Sequence, residues 1–146
     1  LDELKASNPI IGGWSGRIPL RWFNAVRKSI QFKENEPLNL SDQKITRTQL
    51  FEMVKNPQIS TLNCCISILA WGGMKKSHGE SLFSTNLEWL ELAKQIRQGG
   101  LHRADSYQQF SELRASEKLP GMGPAYFTKL IFFLLPESRR GYIMDQ

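Results

Sequence analysis

"KLPGMGPAYFTKLIFFLLPESRRGYIMDQ", residues 118–146, sets two glycines one residue apart between a charged segment and a strongly apolar one. Gly121 and Gly123 can adopt backbone conformations closed to other residues, and without a Cβ they admit another backbone at close range. Pro124 suits the first position of a helix, and residues 125–135 continue as an apolar helix closed by Pro136. Upstream, Ser106 is placed to cap a helix over 107–116. Residues 106–135 therefore read as helix, hairpin, helix. The amides after the glycines emerge from a helix N-terminus, where partial positive charge favours a phosphate oxygen. A loop of this kind grips a backbone and reads no base sequence.

Working outward, the rest of the chain repeats the helical signal. Leu20, Phe23, Val26, Arg27 and Ile30 fall at helical spacing over 20–30, after a turn-rich opening. A short helix over 48–56 stops before Pro57. Residues 59–71, "ISTLNCCISILAW", are apolar on most sides and predict a buried central helix stopped by Gly72 and Gly73. "KKSHGE", 75–80, reads as a polar, basic loop. Thr85 or Asn86 is placed to cap a helix over 87–98, ended by Gly99 and Gly100. The only short strand candidate is 141–144. The expected fold is all-α, a single helical-bundle domain over 1–146 of about six helices with the hairpin near its C-terminus.

Composition sets the class. With 40% hydrophobic and 23% charged residues the 146-residue chain matches a globular domain with a core. No apolar run reaches membrane-spanning length, and the first residues lack a signal-peptide layout, so a cytoplasmic, nucleoid-associated protein is expected. The formal charge of +5 suits an anionic partner. Cys64 and Cys65 are adjacent, have no further cysteines with which to form a cluster, and read as buried thiols. Neither histidine has a carboxylate or cysteine at ligand spacing, so neither metal nor cofactor is expected. The chain starts at Leu1 and stops at Gln146, directly after Asp145, which predicts trimmed ends or a fragment with helices following.

"LPGMGPAYFTKLIFFL" followed by "YIMDQ" resembles the signature of the helix-hairpin-helix (HhH-GPD) DNA glycosylase superfamily, nearest to bacterial proteins of 8-oxoguanine-glycosylase fold. Leu119, Pro120, Gly121, Met122 and Gly123 match the hairpin, and Asp145 matches the aspartate delivered to the active site. The resemblance implies a glycosylase that flips out a damaged or modified purine, such as 8-oxoguanine, from double-stranded DNA, acting as a monomer. It implies hairpin contact with DNA through Lys118, Leu119, Gly121, Met122, Gly123 and Ala125. Further basic candidates are Lys75, Lys76, Arg139 and Arg140, whose contribution would make binding salt-dependent.

Two positions depart from the pattern. Family members that also cleave the strand carry a lysine two residues after the second hairpin glycine, where this chain has Ala125, and often a histidine soon after the aspartate, where it has Gln146. Lys129 lies four residues after Ala125, on nearly the same helix face, and helical side chains lean toward the N-terminus. Its amine is therefore the candidate nucleophile for AP-lyase activity, with burial beside Phe127, Phe132 and Phe133 lowering its pKa. A surface lysine snorkelling from an apolar helix is the competing reading. Asp145 would stabilise positive charge on the deoxyribose as the base leaves; an N-cap or solvated turn carboxylate is its alternative. Trp71, Tyr142 and Gln146 are base-pocket candidates, with Trp14 and Trp22 behind them. Two other functions stay open: a non-catalytic hairpin module that clamps DNA, and a protein recognising a modified base or nucleotide in bacterial defence.

Overall fold

The structure, a computed structural model, describes residues 16–30, 32 and 37–136. Among them are seven helices and no strand: α1 (Pro19–Lys28), α2 (Arg47–Lys55), α3 (Thr61–Trp71), α4 (Lys76–Phe83), α5 (Glu88–Arg97), α6 (Arg103–Ala115) and α7 (Pro124–Leu134). The chain is all-α, as its periodicity predicts. The strand candidate at 141–144 lies outside the described residues.

α3 is the axis. Every residue from 62 to 70 is buried, and α1, α2, α5 and α7 pack around it. A helix apolar on all sides has no solvent face to offer, so it ends up in the middle. Its start is fixed by Ser60, whose Oγ accepts from the Asn63 amide at 3.1 Å. Asn63, buried, donates to Ser60 Oγ and to the Pro37 carbonyl and accepts from the Asn39 amide at 2.8 Å. One satisfied polar side chain thus ties the 37–39 segment to the core. α2 opens on a capping box in which Thr46 and Gln49 satisfy each other's amides.

Three sequence expectations need correction. Residues 75–80, expected as a loop, instead supply the cap and most of α4. Gly79 lowers helix propensity by about 1 kcal/mol, yet a Cβ there would stand 2.8 Å from both Trp22 Cζ2 and Val26 Cγ2, so the glycine lets α4 lie directly on α1. Phe83, at the end of α4, then joins Phe23, Phe32 and Trp89 at ring distances of 4.9, 5.6 and 5.5 Å. Packing outweighs local preference here. α6 begins at Arg103 with His102 as its cap residue; Ser106 is buried and donates to the His102 carbonyl at 2.8 Å. α5 begins at Glu88 after Leu87 in the left-handed region, and Thr85 Oγ1 accepts from the Leu87 amide at 3.2 Å while donating to Leu82 at the end of α4.

Candidate DNA-facing hairpin and half-buried lysine

α6 ends in a double hydrogen-bonded cap. The Glu117 amide donates to Arg114 and the Lys118 amide to Leu113, at 3.0 and 2.9 Å, with Glu117 at φ 62 where a glycine is usual. The chain then dips inward: Leu119 and Met122 are 3% and 2% exposed, so their side chains anchor the hairpin in the core. Any contact they make with a ligand would come from backbone. Gly121, at φ 83, backs onto the His78 carbonyl of α4, where a Cβ would overlap the oxygen. The hairpin is therefore braced from behind by α4, which the sequence presents only as "KKSHGE".

Gly123 is extended and caps α7, its carbonyl accepting from the Tyr126 and Phe127 amides at 3.0 Å each. The amides of Gly123 and Ala125 have no partner among the described residues. They open on a groove of about 580 Å³ lined by the hairpin, Tyr126, His78, Arg114 and Glu117. The Arg114 guanidinium lies over Gly123, 3.7 Å from where its Cβ would stand. Two free amides at a helix start with a guanidinium beside them suit an anionic oxygen. Lys118 is exposed and paired with Glu88 at 3.2 Å, a surface ion pair able to exchange partners.

Lys129 lies one turn further along α7. Its Nζ donates to the Ala125 carbonyl at 2.7 Å and stands 5.1 Å from the centre of the Tyr126 ring. The backward lean of helical side chains thus carries the amine to the Ala125 carbonyl. Burial lowers its pKa below the ordinary lysine value of 10.5. The ring beneath it is Tyr126, and not the expected phenylalanines: Phe127 stacks on Phe110 in the core, and Phe132 and Phe133 pack with Phe51. Trp71 is half-buried next to Gly72 and meets Phe133 edge-on at 5.2 Å. Trp22 is in the core.

The family model OGG, described as "Putative 8-oxoguanine DNA glycosylase OGG-like protein", matches residues 14–146. The chain belongs to the OGG-like family. No curated protein and no solved structure matches it.

Within this OGG-like chain the described residues bring together the hairpin candidates Lys118, Leu119, Gly121, Met122, Gly123 and Ala125, with Lys129 one turn into α7, while Trp71 packs on Phe133 at the end of α3. Asp145, Tyr142, Gln146, Arg139, Arg140 and Trp14 lie outside the described residues. Lys75 is the cap residue of α4 and Lys76 opens it, paired with Glu80 at 2.6 Å. The sequence pattern does not single out Arg114, Tyr126 or Gly72, which the fold places beside the hairpin and Lys129. Tyr126 had a signal, since it stands three residues before Lys129 on the same helix face. Gly72 carries in sequence only the signal of a helix stop. No described helix is long and apolar enough to cross a membrane.

Proposed function

We propose that this OGG-like protein is a DNA N-glycosylase acting on a flipped-out damaged or modified purine of the 8-oxoguanine kind, with AP-lyase activity carried by Lys129. The observation that carries this is the position of the Lys129 amine, held on the Ala125 carbonyl within a turn of the hairpin amides and partly withdrawn from water. A lysine that burial biases toward its neutral form has the lone pair that attack on carbon needs.

The chemistry follows. The phosphate chain is held by the amides of Gly123 and Ala125 with Arg114, so the deoxyribose sits near the start of α7. The neutral Lys129 amine adds its electron pair to C1′ while the bond to the base breaks, and the base leaves with that bond's pair and takes up a proton. Opening of the sugar ring gives an iminium. Loss of a C2′ proton then expels the 3′ phosphate, and water releases the lysine. Asp145 is assigned the carboxylate that stabilises positive charge on the sugar, the role its place in the motif implies.

A non-catalytic clamp is the competing function, favoured by Ala125 at the position of the family lysine. Single-turnover incubation with end-labelled duplex carrying 8-oxoguanine separates the two, read with and without alkali and with borohydride trapping. Strand breaks without alkali that disappear in Lys129→Gln and Asp145→Asn support the lyase. Breaks only after alkali mean hydrolysis by water, and undiminished trapping in Lys129→Gln removes that residue from the mechanism. Salt-sensitive binding with no product on this or other lesion duplexes leaves the clamp.

A further inference from the structure

We infer that Tyr126 and Gly72 form a seat that positions the Lys129 amine, making both positioning residues for the chemistry rather than packing alone. This rests on Lys129 being the nucleophile. Gly72 ends α3 at φ −74 and ψ −5, a conformation open to any residue, so its backbone gives no reason for a glycine. The reason lies in space. A Cβ at Gly72 would stand 3.1 Å from Lys129 Cδ and 3.1 Å from Tyr126 Cε1, so the lysine stem and the ring both lie flat against the bare Cα. The Tyr126 hydroxyl donates to the Gly72 carbonyl at 3.3 Å, closing the ring over the end of α3. Lys129 is then bounded by α3 along its stem, by the Tyr126 ring 5.1 Å from its amine, and by the Ala125 carbonyl at its tip.

A free lysine side chain samples many rotamers. Holding the stem in a slot removes most of that freedom before substrate arrives, and small misplacements of a reacting group lower rates far more than they lower binding. The amine is partly withdrawn from water there, and burial lowers its pKa.

The test uses a duplex with a single abasic site, whose open-chain sugar offers an aldehyde at C1′ and so bypasses base recognition. The Lys129 amine adds to the carbonyl, water leaves, and borohydride reduces the resulting iminium to a stable amine linking protein and DNA. The trapping rate at saturating protein and the dissociation constant are measured for the wild type, Gly72→Ala, Tyr126→Leu, Tyr126→Phe and Lys129→Gln. We expect trapping to fall by about tenfold or more in Gly72→Ala and Tyr126→Leu with affinity changed by less than about twofold. Tyr126→Phe keeps the ring and should restore most of the rate lost in Tyr126→Leu. If Gly72→Ala and Tyr126→Leu trap at the wild-type rate while Lys129→Gln traps nothing, the seat is wrong and the nucleophile stands. If Lys129→Gln traps normally, the nucleophile itself is wrong and the seat falls with it. Equal losses in Tyr126→Phe and Tyr126→Leu overturn the role of the ring and leave only the hydroxyl. Should Gly72→Ala fail to fold by circular dichroism, the two Tyr126 variants decide.

Discussion

Gly121 and His78 touch backbone to backbone: a Cβ on Gly121 would overlap the His78 carbonyl oxygen and stand 3.0 Å from its carbonyl carbon. The partner is backbone, which cannot rotate away, and Gly121 also sits at φ 83, where any other residue is strained by about 1–2 kcal/mol. Gly121→Ala should therefore destabilise by about 3 kcal/mol, lowering Tm on the order of 10 °C. Gly123 is extended, and its missing Cβ would meet nothing closer than the Arg114 guanidinium at 3.7 Å. Gly123→Ala should change stability by less than about 0.5 kcal/mol. Calorimetry on both variants checks the split, and equal losses would contradict it.

Arg97 is the tie between α5 and the α2–α3 connection. Its guanidinium donates to the carbonyls of Met53, Val54, Asn56 and Ile59 and to Thr61 Oγ1, at 2.7 to 3.3 Å. Met53 and Val54 lie in the last turn of α2, where carbonyls have no partner within the helix. Arg97→Met should lose about 3 kcal/mol, because the Val54 and Ile59 carbonyls depend on Arg97 for a donor, whereas Met53 and Asn56 also accept from the Asn56 and Ile59 amides. Arg97→Lys should recover less than half of that, since one ammonium cannot span the same set of oxygens. Urea midpoints for the two variants give the comparison.

Arg97 also marks where the sequence stops being legible. Its partners lie far back along the chain, and no local pattern links them. α3 was readable because nine consecutive buried positions leave no polar face, and the hairpin because its glycines and proline act through local backbone geometry. α4 was not, because its helical state depends on Gly79 meeting Trp22 and Val26 across the fold. The reach of Lys129 toward Ala125 follows from helix spacing alone. Tyr126 and Gly72 beneath it depend on how α3 meets α7, which spacing does not encode. Ser106 looked like a cap because serine prefers that place; its hydroxyl instead bonds back to His102 within the first turn of α6.

Glu117 holds the left-handed position after α6, where α3 and α5 have Gly73 and Gly99, and it is one of the residues lining the groove at the hairpin. Glu117→Gly should stabilise the protein by about 1 kcal/mol through relief of the backbone strain. Removing a negative charge beside the proposed phosphate site should also tighten DNA binding. Glu117→Ala separates the effects: it keeps the strained conformation and loses the charge, so affinity should rise without a gain in Tm. Thermal melts and fluorescence anisotropy on the pair test this, and a Tm gain in Glu117→Ala as large as in Glu117→Gly would count against strain as the cause.

The two cysteines should make stability fall in alkaline solution. Both are free thiols buried in α3; burial pushes Cys64 up to about 11, and Cys65 is raised well above the ordinary thiol value of 9.0. Below pH 9 the folded and unfolded chains both keep these protons, so the thiols contribute no pH dependence there. Between about 9 and 11 the unfolded chain releases them while the folded chain retains them, which favours unfolding as pH rises. Lys129 works in the opposite direction, because its folded pKa is lowered and its contribution improves with pH approaching 10.5. Urea midpoints at pH 8 and pH 10 should therefore drop less in Cys64→Ala/Cys65→Ala than in the wild type, the difference isolating the thiols from Lys129 and other groups. The same burial predicts that a disulfide reagent at pH 8 labels neither thiol in the native protein and both after unfolding in guanidinium. Rapid native labelling, or identical pH slopes in the two proteins, would mean that α3 is open to solvent on a side the fold should close.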